Sequence, residues 1–553
     1  MRSVLAAALL GGALVSAPAA AADAPLLLTG ATVYTSWDAA PRAAAVLALD
    51  GKVAFVGDES EARKRAPGAT VVALPGAVVY PGFVDAHAHV PGLGMSKESL
   101  DLRGRSKEEV LALVRAAAAR TPEGEWIRGR SWDQNLWPGK AFPTAAELDA
   151  VAPRHPVFLT RVDGHALWVN GLAMERAGVT AATADPEGGK ILRAAGGAPS
   201  GIFVDNAEAL VVRAIGDPTP AARRRYLAAG MKAAAASGLT GVGDASGFDR
   251  TGLDVLRAMA REKALPVRLY ATVGAETKDL EGLLREGRVA EGRLTVRAVK
   301  MYADGALGSR GAALLSDYSD DPGNRGLVLT PPGKMDEIAL ACAKAGWQLW
   351  THAIGDRGNR LALDAYEKAL AAARPNDARF RIEHAQVVAP EEIPRFAKLG
   401  VIASMQPTHA TSDMPWAEAR LGPVRIRGAY AWRSFLAAGV RLAGGSDFPV
   451  EAESPLLGLY AAITRQDPSG RPPGGWYPDQ RLSRREALRL FTADAAFAEF
   501  AETRRGRIAP GFDADLTVLD RDVVSDAVPA AEIPKAKVLL TVVGGEVVFG
   551  PAR

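Results

Sequence analysis

Pro81-Gly82-Phe83-Val84-Asp85-Ala86-His87-Ala88-His89 is an apolar, strand-like run that ends in two histidines one residue apart. Alternate side chains of a strand face the same way, so the two imidazoles project together and can grip one metal ion. Taken alone, the spacing also suits two histidines on a solvated strand face, and the rest of the chain decides between these readings. Only seven histidines occur in 553 residues, and two more of them end apolar runs. His352 closes Trp347-Gln348-Leu349-Trp350-Thr351-His352, and His384 closes Phe380-Arg381-Ile382-Glu383-His384. Lys300 and Asp447 take matching places at the ends of 294–300 and 440–447. Six candidate ligands thus lie at the carboxyl ends of separate β-type runs, where (βα)8 barrels assemble their chemistry.

The intervening sequence supports a TIM barrel of the α/β class. Short apolar runs near 83–87, 239–244, 268–273, 295–301, 348–352, 380–384, 401–406 and 440–447 read as eight strands. Ala/Leu/Arg-rich stretches near 221–237, 252–263, 276–286, 335–345, 357–373, 391–399, 430–438 and 455–465 read as the helices between them, with 484–499 closing the array. The ends of the chain read differently. Residues 26–34 and 45–56, the latter broken by Asp50-Gly51, and 515–519 and 537–549, broken by Gly544-Gly545, are strand and hairpin patterns. Neither block can bury a core alone, so a small β-sandwich built from 23–78 and 505–553 is expected beside a barrel spanning 79–504. An insertion at about 95–220, expected over the barrel mouth, holds a helix at 107–120, Trp132, Trp137, Trp168 and His165.

Beyond the first histidine pair, four further stretches carry a family signature: Val299-Lys300-Met301-Tyr302-Ala303-Asp304-Gly305-Ala306, His352-Ala353-Ile354-Gly355-Asp356, Ile382-Glu383-His384-Ala385-Gln386 and Gly445-Ser446-Asp447-Phe448-Pro449-Val450. Together, and in this order, they resemble the metal-dependent amidohydrolase superfamily, in particular the third amidohydrolase family and its N-substituted formamide deformylase-like branch. The resemblance runs from about residue 26 to the C-terminus and includes Asp163-Gly164-His165-Ala166-Leu167-Trp168-Val169-Asn170 and Ser404-Met405-Gln406-Pro407-Thr408-His409. It also implies the terminal β-sandwich.

In that frame His87 and His89 are expected to bind the more buried of two divalent metals, and His352 and His384 the more exposed one. Zinc is the expected ion, although iron, manganese, nickel or cobalt also accept nitrogen-and-oxygen sites. Asp447 is expected both to ligate and to accept the proton of the attacking water. Lys300 is the sharpest case, because an ammonium cannot ligate a cation. It must be neutral, point away, or be carboxylated by CO2 to a bridging carbamate, as in several members of the superfamily. His165 can hydrogen-bond the substrate carbonyl or serve the fold, and His409 poses the same choice. Asp304 and Arg310 can orient substrate or bridge their own loop, whereas Glu383, one residue before His384, is expected to face the helix layer.

The expected reaction is hydrolysis of a C–N, amide-type bond by a metal-bound hydroxide, on a small-molecule substrate with an aromatic or apolar substituent. Lactones, esters, carbamates and cyclic amides would pass through the same intermediate. An aromatic entrance formed by Trp132, Trp137, Trp168, Trp416 and Trp476 motivates the apolar preference. A catalytically idle metal-binding regulator would be expected to have lost ligands, and a two-lobed solute-binding protein would lack the eight βα steps. With Lys+Arg 66 against Asp+Glu 63 and no basic-aromatic run, nucleic-acid binding is not expected. Residues 1–22 have the layout of a cleavable signal peptide, with Arg2 before the apolar run Val4–Val15, and imply a periplasmic or secreted protein without stable membrane insertion. Cys342, the single cysteine, rules out an intrachain disulfide. A homo-oligomer remains open.

Overall fold

In the computed structural model, which describes residues 24–550 apart from 162–165, 187–188, 309 and 375–376, eight parallel strands follow one another round a barrel in chain order. They are β1 (Phe83–Ala88), β2 (Leu239–Phe248), β3 (Arg268–Gly274), β4 (Leu294–Tyr302), β5 (Gln348–Ala353), β6 (Arg381–His384), β7 (Ile402–Met405) and β8 (Leu442–Gly444). Every run expected from the sequence is a barrel strand. No ladder joins β8 to β1, but the seam is closed at the mouth by two backbone hydrogen bonds. Asp447 N–H donates to His87 O and His89 N–H to Phe448 O, each at 2.8 Å. The same contacts fix three candidate ligands relative to one another.

Helices return the chain between strands, among them Pro220–Ala236, Arg250–Arg261, Pro332–Ala345, Asp356–Ala373 and Pro455–Thr464. Local sequence sets their ends. The side chain of Asp249 accepts from Gly252 N–H at 2.8 Å to start one helix, and Gly346, at φ 70°, stops another where a side chain would be strained. Leu253, Leu256 and Met259 on the inner face of Arg250–Arg261 join the main core with Val267, Leu269 and Val273. Inside the barrel, Tyr270 stacks on Trp350 with ring centres 5.7 Å apart, and the Arg381 guanidinium lies 3.5 Å from the Trp350 ring centre. This plug forms a floor beneath the mouth.

The two ends of the chain meet in one sheet, where Leu516–Leu519 pairs antiparallel with Val78–Pro81. Leu26, Leu28, Val46 and Val79 from the first block share a core with Leu516, Val518, Leu540 and Val542 from the second. Between β1 and β2 the chain forms a further six-stranded sheet, from Leu100–Asp101 to Pro199–Asp205. Its core overturns the expectation that Trp132, Trp137 and Trp168 line an entrance. The three rings pack on one another at 5.9–6.1 Å, with Trp132 and Trp168 fully buried. Each indole N–H is spent on a backbone carbonyl, that of Leu159, Arg105 or Thr144. A sheet with one apolar face must cover it, and helix Lys107–Ala118 brings Val110 and Val114 onto the same cluster. No described helix is long and apolar enough to cross a membrane.

Candidate active site

Every strand that carries a candidate ligand delivers it to the same mouth. At the end of β1, His87 is fully buried, and its Nδ1 lies 2.5 Å from Glu383 Oε2. A carboxylate in that place makes Nδ1 the protonated nitrogen and turns the lone pair of Nε2 toward the mouth. His87 Nε2 is 3.4 Å from Asp447 Oδ1, and His89 Nε2 is 3.1 Å from the same oxygen. His87 Nε2 and Asp447 Oδ1 are both buried without a hydrogen-bond partner. On β6, the His384 Nδ1 is 2.8 Å from Gln406 Oε1, which again leaves Nε2 to face inward. The rings of His87 and His352 lie 4.9 and 4.6 Å from that of His384.

Ligand atoms of His87, His384 and Asp447 lie within 4.8 Å of one another, a compact nitrogen-and-oxygen donor set. Burying unpartnered polar atoms costs about 1–3 kcal/mol each, a cost that a cation held between them would remove. The donor set fits a divalent metal. His89 adjoins it through Asp447 and His352 through His384, and both are less deeply buried.

The electrostatics agree. Burial, and then Lys300, push His352 down to about 3, and burial and His352 hold His384 well below its usual range. Burial alone would raise Asp447, yet the adjoining His87 and His89 imidazoles, 3.4 and 3.1 Å away, hold it well below the carboxylate range. Burial likewise opposes ionisation of Glu383, but Arg381 and His87 outweigh it and set its carboxyl at about 2. Neutral imidazoles beside ionised carboxylates are the protonation states that metal binding requires.

Lys300 faces this cluster from β4. It is 2 % exposed, its Nζ lies 5.0 Å from the ring centre of Tyr302, and no described carboxylate forms an ion pair with it. Burial pushes it down to about 8 despite the nearby Glu383 and Asp447. The reading in which Lys300 points to the surface is therefore removed.

Glu383 corrects the expectation that it faces the helix layer. Together with Arg381 it points into the barrel, where Arg381 Nε donates to Glu383 Oε1 at 2.8 Å and Arg381 Nη2 donates to Ala86 O and Ser404 Oγ. His384 then reaches the mouth because it leaves the strand conformation, at φ 73°, so two successive residues both serve the interior. The legible signal was Arg381-Ile382-Glu383, two charges two apart in a strand otherwise too short and buried to hold them on a solvated face. Asp85 was also missed. It accepts from Ser446 Oγ at 2.5 Å and from the N–H groups of Ser446 and His87 at 3.1 Å, tying β1 to the loop that presents Asp447.

Asp304 and Arg310 serve the fold. Asp304 accepts N–H groups from Ile354, Gly355 and Ala313, and Arg310 pairs with Asp320 at 3.0 Å. His409, on the helix Pro407–Asp413, brings Nε2 to 3.7 Å from Asp447 Oδ2 and stacks on His384, with ring centres 5.8 Å apart. His165 lies outside the described residues. Trp416 and Trp476 are half-buried against the main core, Trp476 between Tyr430 and Tyr477.

Residues 70–549 match the family described as Amidohydrolase family. The chain is 34% identical to Protein LONG AFTER FAR-RED 3 of Arabidopsis thaliana, covering 96% of this chain and 93% of that protein. It is 31% identical to an N-substituted formamide deformylase of Arthrobacter pascens, covering 94% and 97%. Among solved structures, an uncharacterized metal-dependent hydrolase from Pyrococcus furiosus superposes with a TM-score of 0.76 at 28% identity, over 91% of this chain and all of that one.

Proposed function

The chain belongs to the amidohydrolase family, and we propose that it is a metal-dependent hydrolase cleaving the C–N bond of a small N-substituted or N-acyl amide. One observation carries the proposal. His87 Nε2 and Asp447 Oδ1 are buried, unpartnered and turned on one another, while the far nitrogen of His87 is held by Glu383. His87, His89 and Asp447 would hold one ion, and His352 and His384 a second, with Lys300 bridging them as a carbamate. Divalent ions in such a site acidify a water and polarise the substrate carbonyl.

The residues supply the remainder. Asp447, whose two oxygens face His87 and His89 on one side and His409 on the other, takes the proton of the attacking water and returns it to the leaving nitrogen. Glu383, itself anchored by Arg381, keeps His87 in the tautomer that ligates. A Lys300 amine whose charged form is disfavoured adds to CO2 and releases a proton, giving the carbamate.

The relationship to N-substituted formamide deformylase supports an N-substituted amide. The apolar preference rests on Tyr302, Leu327, Leu329 and Val450, exposed on segments that leave the mouth ends of β4 and β8. Zinc-loaded protein lacking residues 1–22, screened against N-formyl and N-acyl amines, should release free amine from aryl or alkyl N-substituted substrates. Failure to release amine from any of them with metal bound would refute the proposal. Lys300→Ala should lose both metal and turnover, with partial rescue by short carboxylic acids. An unmodified Lys300 in fully metal-loaded, active protein would contradict the carbamate.

A further inference from the structure

At the end of the barrel opposite the mouth, a cavity of about 200 Å³ opens between the first residues of β3 and β4, the short strand Val289–Glu291, and Glu499, Arg504 and Arg505. Two of its four arginines are fully engaged. Arg268 grips Asp515 with two bonds of 2.6 and 2.9 Å, and Arg293 holds Glu546 and the carbonyls of Leu265 and Pro266. The other two are not. Arg505, 8 % exposed, reaches Glu499 through Nη1 at 3.2 Å but leaves its Nε buried without an acceptor. Glu499, 4 % exposed, leaves Oε1 buried without a donor. At the rim, Arg504 and Glu291 have no ion-pair partner among the described residues.

The cavity walls therefore carry one unmatched cation, one unmatched anion, one buried donor and one buried acceptor. A simple anion would leave Glu499 Oε1 and Glu291 unmatched and repelled. A simple cation would do the same to Arg504 and Arg505. We propose that this cavity binds a zwitterion of α-amino-acid size, with its carboxylate toward Arg504 and Arg505 and its ammonium toward Glu291 and Glu499. Charge-assisted hydrogen bonds of this kind are about twice as strong as neutral ones, which is what lets such a ligand displace water. The space would hold several waters at about 30 Å³ each, enough for a small aliphatic side chain as well.

Calorimetric titration of the full metal-loaded protein with L-alanine, L-valine, acetate and ethylammonium tests the site without reference to hydrolysis. Saturable binding of the amino acids is expected, with acetate and ethylammonium each weaker by about tenfold or more. Arg504→Gln and Glu291→Gln, both on the rim and without a side-chain hydrogen bond or ion pair among the described residues, should each weaken amino-acid binding by a similar factor. Absence of saturable binding in the millimolar range would overturn the proposal and leave a water-filled cavity. Acetate binding as tightly as alanine, with Glu291→Gln silent, would overturn it in favour of a plain anion site. Binding unchanged in both variants would place the amino acid elsewhere and overturn it equally.

Discussion

The mouth of the barrel and the tryptophan cluster of the insertion are both dense, buried and rich in ring side chains, yet they differ in whether their hydrogen bonding is finished. In the insertion, Trp132, Trp137 and Trp168 each donate to a carbonyl and pack edge or face against one another. Nothing more is needed. At the mouth, Glu383 and Gln406 satisfy the outer nitrogens of His87 and His384, while His87 Nε2, His409 Nε2 and Asp447 Oδ1 remain without partners. A buried cluster of acidic and imidazole groups left incomplete on one side calls for a partner such as an ion or an ordered water, whereas a completed one is a core.

This contrast is open to direct attack, and the largest expected effect is at Asp447. Asp447→Asn should lower kcat by about 10²–10⁴-fold, the range of a lost proton acceptor, while part of the metal stays bound. Near-wild-type turnover would remove Asp447 from the proton path and leave its position without a chemical meaning. Trp132→Ala should act on the other region and in another currency, costing about 3–5 kcal/mol of stability in the insertion. Limited proteolysis should then open the segment between β1 and β2 first. A variant that unfolds like the parent but loses kcat/KM would return Trp132 to the substrate side.

Much of this was legible before the fold was known. The eight strands and the placement of His87, His89, Lys300, His352, His384 and Asp447 at their mouth ends follow from short apolar runs that each end in one metal-compatible group. What periodicity could not show was a departure from it. Strict alternation sends Glu383 and His384 to opposite faces, but the left-handed turn at His384 puts both to use inside. The tryptophans misled for a related reason: an indole is amphipathic, and sequence alone does not say whether its N–H meets a ligand or a backbone carbonyl.

Glu383 gives a smaller and more specific test. Glu383→Gln should weaken metal affinity by about 10–100-fold, as loss of a carboxylate behind a histidine ligand does, without abolishing the fold. Unchanged affinity would mean that His87 needs no such anchor. The same variant isolates a pH effect in metal-free protein. The folded carboxyl, at about 2, lies below the ordinary value of 4.5, so the unfolded chain binds the extra proton between them. Its stabilisation is present above about pH 4.5 and is lost as pH falls toward about 2. The difference in urea midpoint between parent and Glu383→Gln should shrink over that window, and a difference that stays constant would contradict the assigned charge.

The central claim is that the unpartnered His87 Nε2 and Asp447 Oδ1 at the mouth are metal ligands. Elemental analysis of protein purified from metal-supplemented medium, read together with activity before and after chelation, tests it most directly. Up to two equivalents of divalent metal per chain are expected, with zinc restoring the turnover that a chelator removes. Full activity in protein that carries no divalent transition metal would contradict it.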